Sequence, residues 1–220
     1  MSSIYYSNTT LWTMAVNIAF MLGALWLFKK GNASSTLKTI FTVFSVIWIA
    51  FIYSVINNKL IISPNISGAI FYAITLVSAS VVLLFFFKSP LKIVFDSIKQ
   101  EDIQWVQGLR VFVAAGFLME GAVGVIPAWF SIMDGYLHVT SGFFALIAAI
   151  AVLKNSPIKN TLLWLANLIG LIDIVIIVTS INFVVWKEIG PFHNMQTVVF
   201  YTGVLLLWFH LISILKLLKK

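Results

Sequence analysis

Seven stretches of this chain are predominantly apolar over about the 20 residues that a helix needs to cross a hydrocarbon core roughly 30 Å thick. They run 9–28, 38–57, 68–87, 108–131, 135–153, 161–186 and 196–217. Inside lipid every backbone N–H and C=O must find a partner within the protein, so only helices and closed barrels can span it. These runs do not alternate at period two, as barrel strands would. The expected fold is all-α: a polytopic membrane protein with seven transmembrane helices. Composition points the same way, with hydrophobic residues at 61% and charged residues at 10% of the chain. A soluble domain of this size could not bury so much apolar surface.

Charge sets the expected orientation. The formal charge is +7, but the basic residues stand singly or in pairs between the apolar runs. That pattern marks membrane topology rather than a phosphate-binding face, and no nucleic-acid partner is expected. With the N-terminus outside, twelve of the fourteen Lys and Arg residues fall on inner segments, Arg110 among them, and only Lys59 and Lys187 on outer ones. The positive-inside rule then gives N-out, C-in. No Lys or Arg precedes the first run and Lys29-Lys30 follows it, so it reads as a retained helix rather than a cleaved signal. Without cysteine, disulfides, thiolate metal sites and cysteine nucleophiles are excluded.

Three units are expected. Residues 1–87 form an apolar three-helix scaffold whose membrane interior holds no charge and no histidine, with Asn17 and scattered Ser, Thr and Tyr satisfied on backbone or neighbouring helices. Residues 88–107 form a cytoplasmic linker. There Leu91, Phe95 and Ile98 share one helical face and Lys92, Asp96 and Lys99 another, the pattern of a short amphipathic helix in the interface between helices 3 and 4. Residues 108–220 form a polar-cored four-helix unit with nine of the twelve glycines. Pro64, Pro90, Pro157 and Pro191 fall in loops, while Pro127 lies inside the fourth run and is expected to kink it.

An ionised side chain at mid-bilayer costs from roughly 3 to more than 10 kcal/mol, so such residues face the bundle interior and mark candidate sites. Glu120 in the fourth run and Asp173 in the sixth sit at matching depth and are expected to face each other. Two adjacent carboxylates share a proton, which makes the pair the candidate proton-coupling centre; the alternative is two separate neutral acids bonded to helix backbones. Asn167, Gly170 and Asp173 share one helix face, and His210 is expected to meet Asn167. Asp134, His138 and His193 are placed at the outer mouth, where a metal or proton relay would be possible, but no ligand-spaced motif assigns a metal. Arg110, the only arginine, is placed at the inner end of the fourth run. There it would either snorkel as a topology anchor or hold a lipid headgroup or other anion. His138 and His210 differ in expected depth by about 15 Å, so one haem between them is not expected. A haem or pigment on a single histidine stays open. There is no mid-span lysine in the seventh run for a retinal Schiff base and no HExxH. Ser141 and His210 lie at different depths, and no catalytic residue is assigned.

Arg110, Phe117-Leu118, the Gly124…Pro127 turn, Asp134-Gly135, the run from Asn167 to Asp173 and His210 together resemble a group of uncharacterised bacterial multi-pass membrane proteins. Glu120 and His138 lie outside that pattern, and Trp164 stands three residues before Asn167 where the group has it adjacent. The resemblance implies a multi-pass protein of the bacterial cytoplasmic (inner) membrane and brings no activity with it. The leading expectation is binding or translocation of a small molecule or ion through residues 108–220, with or without proton coupling. The alternatives are a haem or pigment protein and a structural or assembly subunit, with the bilayer and a homo-oligomer or membrane-complex partner as its contacts.

Overall fold

The computed structural model describes residues 3–88 and 91–219; Pro90 and Lys220, expected in a loop and on the inner side, lie outside them. Among the described residues the chain is helical, without strands. Its helices are α1 (Ser3–Lys30), α2 (Ser35–Asn57), α3 (Gly68–Lys88), α4 (Leu91–Ser97), α5 (Gln100–Gly108), α6 (Arg110–Ala122), α7 (Ala128–Leu153), α8 (Lys159–Phe183), α9 (Trp186–Ile189), α10 (Met195–Val198) and α11 (Val204–Leu218). A five-residue π turn, Val199–Gly203, joins α10 to α11. Among the described residues, six segments are long and apolar enough to cross a membrane: Thr9–Lys30, Ser35–Asn57, Gly68–Lys88, Ala128–Leu153, Lys159–Phe183 and Met195–Leu218.

The distribution of polarity is inverted relative to a soluble protein. Ile47 on α2, Val77 and Phe85 on α3, and Ile172 and Val175 on α8 are large, apolar and exposed. Arg110, Asp134, Asn167 and Asp173 are wholly buried. Water would reverse both placements, whereas lipid favours them.

The fourth expected run is where sequence and structure part. It was expected over 108–131, with a break before 135; the helix instead ends at Ala122 and α7 starts at Ala128. The stop is a Schellman motif. Gly124 takes φ +71°, its N–H donates to Gly121 O at 3.1 Å, and Val125 N–H donates to Glu120 O at 2.8 Å. Pro127 caps the start of α7 rather than kinking a helix, a position where its missing N–H costs nothing.

At the other end the helical chain begins at Gln100, inside the expected linker. Leu109 between α5 and α6 keeps right-handed helical dihedrals, and both helices pack along α7. Upstream, α4 lies as its pattern predicts: Leu91, Phe95 and Ile98 are buried, and Lys92, Asp96 and Lys99 are exposed. Phe95 packs edge-on against Trp208 at 3.7 Å between ring centroids, and Phe86 stacks on the same indole at 4.1 Å. These rings fasten α3 and α4 to α11.

Polar side chains of α1 hold the irregular segment before α11. Asn17 accepts from the Thr202 hydroxyl at 2.7 Å and donates to Thr197 O at 3.3 Å. The π turn shifts the backbone hydrogen-bond register, and the Phe200 carbonyl accepts from Trp48 Nε1 at 3.2 Å.

Close approach of α3 to α8 depends on one glycine. A Cβ at Gly68 would stand 1.8 Å from the Asn182 carbonyl oxygen, whereas one at Gly203 would meet nothing nearer than 3.6 Å. Gly68→Ala is expected to cost about 1–3 kcal/mol through overpacking and to lower the thermal midpoint in detergent. Gly203→Ala is expected to leave that midpoint unchanged.

Candidate functional site

Arg110 occupies the centre of the site. It is wholly buried, between α6, α8 and α11. Its Nη2 lies 2.7 Å from Asp173 Oδ2, and its Nη1 donates to Gly170 O at 3.2 Å and lies 2.9 Å from His210 Nε2. The inner-end anchor expected for Arg110 is therefore corrected. With the helical chain starting at Gln100, Arg110 falls near its middle instead of its end, and the guanidinium pairs inside the protein. Gly170 makes the approach possible, because a Cβ there would stand 2.1 Å from His210 Cε1 and 2.9 Å from Arg110 Nη1.

A guanidinium can only donate, so His210 Nε2 must accept. His210 is then the Nδ1–H tautomer, assigned by this network, and donates to Asn167 Oδ1 at 3.1 Å. Asn167 Nδ2 donates to Leu163 O at 2.7 Å and to Ser213 Oγ at 2.8 Å. Ser213 in turn donates to Gln100 Oε1 at 2.7 Å, and Gln104 Nε2 donates to Ser213 Oγ at 3.0 Å. The expected meeting of His210 with Asn167 is present in this chain. With both ring nitrogens engaged, His210 offers none to a haem iron.

On the other side of Arg110 the chain continues through Asp173. The same Oδ2 that pairs with Arg110 accepts from His138 Nδ1 at 2.9 Å. The opposite ring nitrogen, Nε2, is 3.4 Å from Asp134 Oδ1, one turn back on α7. Both Asp134 oxygens and Asp173 Oδ1 lack a hydrogen-bond partner. Glu120 is buried with both carboxylate oxygens unpartnered. Its electrostatic neighbour is Asp134, and it lines a narrow crevice with Trp12, Thr13 and Gly116.

Two further placements are corrected. Glu120 and Asp173 do not hydrogen-bond: Asp173 Oδ2 pairs with Arg110 and His138, while Asp173 Oδ1 and both Glu120 oxygens have no partner. Asp134 and His138 are not at an outer mouth with His193; α7 starts seven residues earlier than expected, which draws both into the bundle beside Asp173. His193 stands apart, in the segment before α10, where its Nδ1 accepts from Met195 N–H at 3.2 Å. Gln100, Gln104 and Ser213 also belong to the network, although the apolar pattern of the sequence does not mark them. Gln100, Gln104 and Gln107 are spaced i, i+4, i+7 and all are buried, a helical period that their polarity concealed. The space beside Gly116 is filled from within the chain: its missing Cβ makes room for Trp12, whose Nε1 would lie 1.8 Å from it.

Two measurements follow from this geometry. Removing one member of a buried ion pair strands the other, at a cost of about 3–5 kcal/mol. Arg110→Leu is expected to lower the thermal midpoint sharply, and Arg110→Leu with Asp173→Leu to recover most of the loss. Burial lowers the His193 imidazole from 6.5 to about 4. Between those values the unfolded chain binds a proton that the folded chain does not, so this contribution is complete above pH 6.5 and is lost as pH falls towards 4. His193→Gln is expected to flatten that part of the stability profile, measured by thermal unfolding across pH.

Neither the curated proteins nor the solved structures contain a match to this chain. A family model does match, over residues 69–218, a stretch that takes in every member of the network from Gln100 to Ser213. On that match the chain belongs to the family described as a domain of unknown function (DUF8737).

Proposed function

We propose that this is a seven-crossing protein of the bacterial inner membrane that binds a small ion in the unit formed by α5–α8 and α11 and passes it across the bilayer. One observation carries this reading: a linked series of buried polar side chains, Gln100, Ser213, Asn167, His210, Arg110, Asp173, His138 and Asp134, inside an otherwise apolar bundle. Intramembrane ionisable residues facing the bundle interior and paired with one another are the usual substance of ion pathways.

The seventh crossing in this reading is α5 with α6. Nine residues of α5, Leu109 and thirteen of α6 reach about 34 Å at the helical rise, enough for the hydrocarbon core. Arg110 then leaves the inner count of basic residues, which becomes eleven against two and still favours N-out, C-in. The absence of cysteine makes the topology directly testable. In intact cells a membrane-impermeant maleimide is expected to label Lys59→Cys and to leave Lys154→Cys unlabelled until the membrane is opened; the opposite pattern reverses the orientation.

Ion passage is tested in proteoliposomes on a solid-supported membrane, with concentration jumps of H⁺, K⁺, Mg²⁺ and Zn²⁺. A charge movement is expected for at least one of these, reduced at least tenfold by Asp134→Asn and by Glu120→Gln in protein that still melts cooperatively. Absence of current for every ion, from folded protein of confirmed orientation, removes the proposal.

A further inference from the structure

Asp134 and His138 stand one turn apart on α7, so they project from one helix face. Asp173 fixes the ring between them. Its carboxylate accepts from His138 Nδ1 at 2.9 Å, which assigns the proton to Nδ1 and turns Nε2 towards Asp134. Nε2 and Asp134 Oδ1 are 3.4 Å apart, with no hydrogen bond joining them, and both Asp134 oxygens are buried and unpartnered. Two buried acceptors aimed at each other are costly unless a positive centre lies between them.

The spacing indicates what kind of centre fits. A metal bound at about 2.0–2.2 Å to an imidazole nitrogen and a carboxylate oxygen, at the tetrahedral angle, holds those two atoms about 3.4 Å apart. The outer partner is also present: a metal-bound histidine characteristically donates its other ring N–H to a carboxylate that fixes its tautomer, and Asp173 accepts that bond here. The candidate ligand atoms of Asp134, His138 and Asp173 all lie within 4.8 Å of one another.

We infer that Asp134 and His138 Nε2 bind a divalent first-row transition cation of the zinc class, with Asp173 orienting His138. Imidazole with carboxylate selects such ions over Mg²⁺ or Ca²⁺, which take oxygen alone. Arg110 is paired with Asp173 through the carboxylate that holds His138 Nδ1, and Asp134 supplies the negative charge at Nε2. This inference rests on the reading of the polar chain as an ion-binding centre and names the ion.

The test uses full-length protein in detergent, freed of any histidine tag and grown in metal-depleted medium. It is titrated with Zn²⁺ by equilibrium dialysis and with Co²⁺ by visible absorption. One ion per chain and intense tetrahedral Co²⁺ bands are expected. Asp134→Asn and His138→Gln are expected to weaken binding at least tenfold and Asp173→Asn by about 10–100-fold, while His193→Gln leaves it unchanged. Should the site variants not fold, the wild-type Co²⁺ spectrum decides: tetrahedral bands support the site, and the weak bands of an octahedral hydrated ion overturn it. No stoichiometric binding, or binding that His193→Gln removes, also overturns it. Current carried by another ion without metal binding removes the metal assignment and leaves the ion path standing; metal bound without any current does the reverse.

Discussion

The rest of the structure depends on one guanidinium with no access to water. Moving an ion of that size out of water costs several kcal/mol even after relaxation, and Arg110 meets the cost with a carboxylate, a backbone carbonyl and an imidazole from two other helices. That requirement fixes α6, α8 and α11 relative to one another. It also fixes direction: Arg110 can only donate, so His210 must accept on one side and donate on the other, which sets the Asn167 amide and, beyond it, Ser213. A single always-charged donor therefore orients a series of groups, each of which could otherwise bond either way.

Lipid explains why such a network is needed. Apolar helix surfaces gain nothing by leaving hydrocarbon for one another, so helix association relies on packing, close approach and interhelical hydrogen bonds. The chain uses all three. Gly170 lets His210 and Arg110 come within bonding distance, Gly68 lets α3 reach the α8 backbone, and Asn17 ties α1 to the segment leading into α11. The exposed isoleucines, valines and phenylalanines on α2, α3 and α8 are the surfaces that such a bundle would turn to lipid.

The two halves of the polar series differ in a way that bears on function. From Arg110 towards α5, His210 and Asn167 have every polar atom engaged. Towards the α6–α7 turn, the carboxylates of Asp134 and Glu120 have no hydrogen-bond partner. Helix packing accounts for His210 and Asn167, although further along, on α5, Gln104 Oε1 and both polar atoms of Gln107 are unpartnered. The carboxylates of the second half are buried with no hydrogen-bond partner, and on the proposed reading that is the end of the series where an ion would bind.

The sequence alone points to a helical protein suited to a bilayer, through the length and apolarity of its runs. It also marked the residues of interest, since an ionisable side chain in such a run is costly enough to be informative wherever it points. The amphipathic α4 was legible for the same kind of reason, its two faces differing sharply in polarity. Which residues meet was decided only by the tertiary structure. Register between helices is set by where each begins and ends. The Schellman turn at Gly124 and the early start at Gln100 moved the α6–α7 hairpin by several residues relative to its apolar pattern. That shift carried Arg110 from an expected surface to the centre, separated Glu120 from Asp173, and drew Asp134 and His138 inward. Hydropathy is nearly blind to such a slide, because one apolar residue can replace another against lipid. Hydrogen bonding is not, because a guanidinium and a carboxylate must meet to within a few tenths of an ångström.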